Sequence, residues 1–104
     1  MHTKMKNIYE NRSRPDEAWQ TVVIGEVNAS PVFMREMRET EAQFHSHAGS
    51  DEMFIVLEGE VYMETRESSI HLARGDTFTV KAGTEHRTRA PSYARLLVIG
   101  GKDA

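Results

Sequence analysis

Short apolar segments rich in β-branched residues alternate with turn-forming residues along most of the chain. The clearest segment is residues 52–57, EMFIVL, which is followed by a glutamate and a glycine. A run of about six residues fits either a buried strand or part of a buried helix, but its β-branched content and the glycine after it favour a strand. Because a second segment, residues 61–65, follows at once, we predict a hairpin turn at Glu58-Gly59.

The remaining segments repeat this pattern between further turn signals. The first, residues 19–24, stops at Gly25, and a turn is predicted over residues 27–31. No segment keeps a helical period over about three turns. The other predicted strands are residues 32–38, 70–72, 77–80, 86–89 and 95–99. Eight or nine short strands, with turn signals every 8 to 12 residues, predict an all-β protein that forms a small antiparallel sandwich or barrel.

Size and composition narrow the functional classes. The 104 residues fit one domain, and residues 1–16 are polar enough to form a mobile or loosely docked N-terminal arm. A net charge of −3, with no block of lysines or arginines, gives no electrostatic reason to expect nucleic acid or an anionic membrane as partner. No apolar run approaches the roughly 20 residues that span a bilayer, and residues 1–7 lack a signal-peptide core, so a cytoplasmic location is the default expectation.

The triplet His45-Ser46-His47 has the clearest chemical meaning. On an extended strand, residues i and i+2 point to the same face, so both imidazoles could meet one ion, with a solvated histidine pair as the alternative. The loop that follows lets Glu52 return toward them, and His86 would add a fourth ligand from another strand. Because the chain has no cysteine, any metal must be held by nitrogen and oxygen.

Asp51 is the rival of its neighbour Glu52 as the carboxylate ligand. Glu52 has the same strand parity as Phe54 and Val56, which places it on the interior face. Asp51 would instead share the face of Met53. The alternation therefore favours Glu52.

Two stretches resemble the two sequence motifs of the cupin superfamily. Residues 45–59 read H-S-H-x4-E-x6-G, and residues 75–86 read G-D-x4-K-A-G-T-E-H. The resemblance covers roughly residues 32–100 and is closest to the small single-domain bacterial cupins. It implies a jelly-roll barrel, also called a double-stranded β-helix, that holds one divalent ion (Fe, Mn, Ni, Co or Zn). The ligands that it implies are His45, His47, Glu52 and His86.

Two turn positions depart from the family pattern. The usual glycine six residues before the first histidine is Glu39 here, and the usual proline near the second motif is Lys81. Neither position supplies a ligand. The resemblance places Gly59, Gly75 and Gly83 in tight turns, where a positive φ or a close backbone approach is needed.

Other polar residues could surround the ion. Gln43 and Thr88 share the strand parity of the first and last histidine ligands and are candidate pocket residues, with exposed strand positions as the alternative. His71 is predicted to be solvated, and His2 belongs to the polar arm. Solvated strand faces account for most of five arginines, although one of them could meet an anionic substrate; these are Arg35, Arg38, Arg87, Arg89 and Arg95.

A metal site of the implied kind permits several activities. Open coordination positions would serve an isomerase or epimerase, a lyase or, with iron, a dioxygenase acting on a small polar metabolite. The alternative is a non-catalytic module that binds or senses a small ligand around a structural metal. No separate catalytic base is evident, although Glu52 could also exchange protons. The resemblance implies a homodimer in either case, with residues 19–23 as the candidate contact.

Overall fold

Antiparallel strands make up the regular structure of the residues that the computed structural model describes, namely Met5, residues 7–10 and residues 14–101. These residues contain no helix, and so none of membrane-spanning length. The strands are β1 (Trp19–Val27), β2 (Ser30–Glu41), β3 (Glu52–Glu64), β4 (Ser69–Ala73), β5 (Thr77–Val80) and β6 (Arg87–Gly100). The predicted all-β fold is confirmed.

The long strands β3 and β6 form the centre of the sheet. The strand order is β1-β2-β6-β3-β4, and β5 also pairs with β3. β3 pairs with β6 over three stretches, separated by register shifts between Val56 and Glu58 and between Gly59 and Tyr62. Such bulges bend a strand, which lets both strands wrap around one core. The core consists of Met37, Phe54, Val56, Val61, Met63, Leu72, Val80, Ala90, Ala94, Leu96 and Val98.

The predicted hairpin turn at Glu58-Gly59 is wrong. β3 continues through both residues, and Gly59 lies in a bulge with a φ of 72°. A Cβ at this position would overlap the carbonyl oxygen of Tyr93 on β6. Glycine is needed for a close backbone approach as well as for a tight turn, so the residue type alone does not separate the two.

Two other predicted boundaries also differ from the structure. Two separate strands were predicted, at residues 86–89 and at residues 95–99, but β6 runs unbroken from Arg87 to Gly100. Gly25 does not end β1, because the register only shifts between Val23 and Gly25 and the strand continues to Val27. The described part of the chain therefore contains six strands instead of the predicted eight or nine. The predicted turn after β1 is confirmed as a two-residue hairpin turn at Asn28-Ala29, both with positive φ.

The described residues of the predicted N-terminal arm lie against the outer face of β2 and β6. The Arg38 guanidinium donates hydrogen bonds to the carbonyls of Arg14 and Glu17, each at 3.1 Å. The fully buried Arg95 donates to the carbonyl of Ile8 and lies 5.2 Å from the ring centre of Tyr9. The segment before β1 therefore contacts the outer face of the sheet at Arg38 and Arg95. The rest of the arm, including His2, lies outside the described residues.

A cluster of charges, with Arg95 and Glu36 buried at its centre, contacts this segment. Arg95 contacts Glu36 at 3.3 Å and Glu58 at 3.6 Å, and the Tyr93 hydroxyl donates a hydrogen bond of 2.6 Å to Glu36. Arg38 approaches Glu36 to 3.6 Å. Burying charges is costly unless they are paired, so these contacts depend on one another.

Candidate metal centre

A short antiparallel bridge joins two of the candidate histidines. The His45 amide donates to the His86 carbonyl at 3.0 Å, and the His86 amide donates to the His45 carbonyl at 2.9 Å. Directly paired residues place their side chains on the same face of a sheet. The two imidazole centroids accordingly lie 4.5 Å apart.

The other two candidates are His47, within the loop between β2 and β3, and Glu52, directly after it. The carbonyl of His47 accepts a hydrogen bond of 2.9 Å from the Gly83 amide, which ties this loop to the turn after β5. The ring centroid of His47 lies 5.1 Å from that of His45. Glu52, the first residue of β3, is only 4% exposed, in agreement with the interior position expected from strand parity.

Asp51 points away from this group. It is exposed, and its carboxylate accepts a hydrogen bond of 2.8 Å from the Ala82 amide and lies 3.5 Å from the Lys81 ammonium. The backbone hydrogen bond is the main cause that lowers the pKa of Asp51. Asp51 therefore holds the turn that precedes His86 rather than facing the histidines.

Backbone carbonyls fix the orientation of two imidazoles. Nδ1 of His45 lies 2.8 Å from the Gln43 carbonyl oxygen, and Nδ1 of His86 lies 2.9 Å from the Thr84 carbonyl oxygen. A carbonyl oxygen only accepts, so each Nδ1 carries the proton. Metal-binding histidines commonly have this arrangement, because it leaves Nε2 to face the ion.

Charge and hydrogen bonding tune the carboxylate at the centre of the group. Burial alone would raise the pKa of Glu52, but the hydrogen bond from His86 and the charges of His47 and Arg35 hold it below its ordinary value. Burial likewise opposes a charge on His86, yet hydrogen bonds to Glu52 and to the Thr84 carbonyl raise its pKa. Glu52 is thus kept as a carboxylate, the form that binds a cation.

The donor geometry fits a divalent first-row metal. Nε2 of His86 and Oε1 of Glu52 are 2.9 Å apart. Two ligands that bind one ion at about 2.1 Å and at right angles stand roughly 3.0 Å apart, and opposite ligands about 4.2 Å. One donor atom each from His45, His47 and Glu52 lie within 4.8 Å of one another. Small side-chain shifts would bring these donors to bonding distance, and imidazole and carboxylate together suit Fe, Mn, Ni, Co or Zn.

A cavity of about 200 Å³ opens beside His86. Gln43 and Thr88 are not among the described residues that line it. Gln43 is exposed and contributes its backbone carbonyl to His45, whereas the Thr88 hydroxyl lies 3.7 Å from the sulfur of Met37 in the core. Their role as pocket residues stays a prediction. The lining consists of Met63, Thr65, Phe78, Thr79, Val80, Lys81, Thr84 and His86.

Arg35 is a neighbour of the site that the sequence pattern did not single out. Its charge contributes to lowering the pKa of Glu52 and acts against protonation of His86. The guanidinium carbon lies 4.6 Å from the ring centre of Trp19 and 5.0 Å from that of Phe33.

The predicted solvation of His71 is confirmed, because its side chain is 46% exposed.

Comparisons with known proteins agree with the fold and the motifs. Residues 32–100 match the sequence model of the Cupin_2 family, described as the cupin domain. The chain is 34% identical over 96 residues to the uncharacterized protein YdbB of Bacillus subtilis (strain 168), an alignment that covers 91% of this chain and 82% of that protein.

Solved structures show the same architecture. A cupin-2 domain protein of Shewanella frigidimarina superposes with a TM-score of 0.76 at 29% identity, covering 84% of each chain. An RmlC-like cupin protein of Desulfovibrio desulfuricans superposes with a TM-score of 0.80 at 24% identity, covering 96% of this chain and 98% of that one. The described strands thus follow the barrel of these structures over most of their length.

Proposed function

The chain belongs to the cupin family, and from this premise we propose that it is a metal-dependent cupin whose ligands are His45, His47, Glu52 and His86. In this proposal, residues 32–100 form the barrel core of a single domain and residues 1–16 its arm. The observation that carries it is the clustering of one donor atom each from His45, His47 and Glu52 within 4.8 Å of one another. His86 and Glu52 already stand at the spacing of two ligands on one ion, 2.9 Å.

We assign to this centre a reaction on a small polar metabolite, of the isomerase or epimerase, lyase or dioxygenase type. A bound divalent ion would supply Lewis-acid chemistry, or oxygen chemistry if it is iron. The chain's own residues set the conditions around it. The two backbone carbonyls orient His45 and His86, and Glu52 would hold the cation and could exchange a proton with the substrate. The lining residues present mostly apolar atoms to the cavity beside His86, which would limit the access of water.

We further propose a homodimer whose contact is centred on the exposed valines towards the end of β1 and leaves the Trp19 end of the strand open. Val23 and Val27 are each 62% exposed. β1 is also an edge strand, and exposed edges are commonly covered by pairing. Sedimentation equilibrium of the wild type and of Val23→Lys tests this contact. Dimerisation that survives the substitution would place the contact elsewhere.

Elemental analysis of the natively expressed protein tests the metal site. We expect about one equivalent of a first-row metal per chain, and less than a tenth of that in the variant His45→Ala/His47→Ala. His71→Ala, which removes an exposed histidine outside the site, is the matched control and should retain the metal. Circular dichroism of all three proteins shows whether they fold. A wild type without metal, or a folded double variant that retains it, would refute the proposal.

Catalysis is tested on the metal-loaded protein. Small hydroxy and keto acids, diketones and sugar acids are screened for turnover, and His86→Ala should abolish any activity that is found. Binding of these compounds without turnover would identify a non-catalytic ligand-binding cupin instead.

A further inference from the structure

Arg35 lies on the interior face of the sheet. It pairs with Leu96 of β6, which in turn pairs with Val56 of β3. Side chains of directly paired residues share a face. Leu96 and Val56 belong to the core, and Glu52 is on the same face of β3. The long side chain of Arg35 therefore enters the barrel on the side that carries Glu52.

The other arginines of β2 and β6 all contact carboxylates. Ion pairs connect Arg38 and Arg95 to Glu36, and Arg87 and Arg89 to Glu64. Arg35 has no hydrogen bond or ion pair among the described residues, and its Nε is buried without a partner. Its contacts are the two aromatic rings of Trp19 and Phe33. A partly desolvated guanidinium that has no anionic contact is costly to the fold.

The barrel is open to solvent beside Arg35. Thr21 of β1 pairs with Arg35 and is exposed, and the neighbouring Trp19 is 38% exposed. A small molecule can therefore reach the guanidinium from the edge of the sheet. With a divalent ion in place, the ion, Arg35 and Glu52 together carry a net charge of about +2, which favours an anionic ligand.

We propose that Arg35 binds the carboxylate of a small organic acid whose carbonyl or hydroxyl oxygen is directed at the metal centre. This inference rests on the proposed function and narrows its substrate class to carboxylic acids. A planar guanidinium is suited to a carboxylate because it donates two parallel hydrogen bonds. The rings of Trp19 and Phe33 hold the guanidinium in position and leave its donor edge for the ligand.

The single tryptophan of the chain makes this binding measurable. Because Trp19 contacts Arg35, a carboxylate on Arg35 should change the fluorescence of Trp19 in a saturable way. The metal-loaded protein is titrated with pyruvate, oxalate and malonate, at a protein concentration where sedimentation shows one oligomeric state. Pyruvamide, which keeps the carbonyl of pyruvate but has no charge, is the matched ligand control and should bind at least about 10-fold more weakly.

Two substitutions separate Arg35 from a general effect of charge. Arg35→Gln should weaken binding of the acids about 10-fold or more, and Arg35→Lys should give an intermediate loss because a single ammonium replaces the planar guanidinium. Arg74→Gln removes the same charge from an exposed turn and should bind as the wild type does. A residue kept only for folding would lower the melting temperature when removed, whereas Arg35→Gln should leave it unchanged or raise it.

The outcomes distinguish this inference from the metal proposal. Saturable binding of at least one acid that depends on Arg35, with equal metal content in wild type and Arg35→Gln, supports it. No binding of any of the three acids, or equal binding by Arg35→Gln, overturns it. If the wild type carries no metal, the metal proposal fails, and the same titrations on the metal-free protein decide the role of Arg35.

Discussion

Substituting alanine for Gly59 tests whether the close approach of β6 requires a glycine at the bulge in β3. Gly59 has a φ of 72°, and an added Cβ would stand 2.8 Å from the carbonyl carbon of Tyr93, with the oxygen nearer still. An L-residue in the left-handed region costs about 1–2 kcal/mol. The overlap with backbone that cannot rotate away adds roughly 1–3 kcal/mol. The expected loss in the free energy of unfolding is therefore roughly 2–5 kcal/mol.

Gly75→Ala is the matched control for this substitution. Gly75 has a φ of 90°, but an added Cβ would meet nothing within 4 Å. Only the conformational cost of about 1–2 kcal/mol applies there. Urea denaturation followed by far-UV circular dichroism measures both variants. Equal losses, within roughly 0.5 kcal/mol of each other, would refute the reasoning that the approach of β6 is what requires glycine in β3.

Further predictions concern backbone strain, the buried ion pairs and acid stability. Glu39 has a φ of 47°, in the left-handed region. Glu39→Gly should therefore raise the free energy of unfolding by roughly 0.5–1 kcal/mol, because relief of strain exceeds the added entropy of the unfolded chain. Urea denaturation measures this, and a lower free energy of unfolding would contradict it. Arg95→Met removes a cationic contact of the buried Glu36 and should lower the free energy of unfolding by about 3 kcal/mol. Adding Glu36→Gln to this variant should restore part of the loss. A double variant no more stable than Arg95→Met would count against the pairing. Burial raises the pKa of Glu64, but hydrogen bonds, first among them that from Arg87, lower it overall. Its stabilisation is therefore present above the ordinary pKa of 4.5 and is lost as the pH falls through the lowered value. The free energy of unfolding of Glu64→Gln should depend less on pH in this acid range than that of the wild type, and parallel profiles would exclude this role.

The alternation of apolar residues at the start of β3 was sufficient to predict that Glu52 faces inward, since every second residue from Glu52 to Val56 is buried. The same alternation was not sufficient to predict which residues of β2 face inward. Met34 and Met37 are both buried although they have opposite parity. On the outer face, Arg38 and Arg95 donate hydrogen bonds to backbone carbonyls of the segment before β1. With apolar residues on both faces of β2, the alternation did not indicate that Arg35 points into the barrel.

Strand boundaries failed for a different reason. The glycines at positions 25 and 59 were interpreted as stops, but both lie where the register shifts within a continuous strand. What decides between a turn and a bulge at Gly59 is the backbone of Tyr93, which is distant in sequence. Local patterns contain no information about that neighbour. The turn at Asn28-Ala29 was predictable because its partners, Val27 and Ser30, are adjacent to it.

The contact between Glu52 and His86 has a consequence for folding kinetics. Glu52 and His86, whose side chains meet at 2.9 Å, are 34 residues apart in the chain. Closing a loop of that length carries an entropy cost that must be met before the contact forms. A metal held by these residues would therefore bind a chain that has already closed its barrel. Its stabilisation would appear as slower unfolding, with the refolding rate nearly unchanged whether or not a chelator is present.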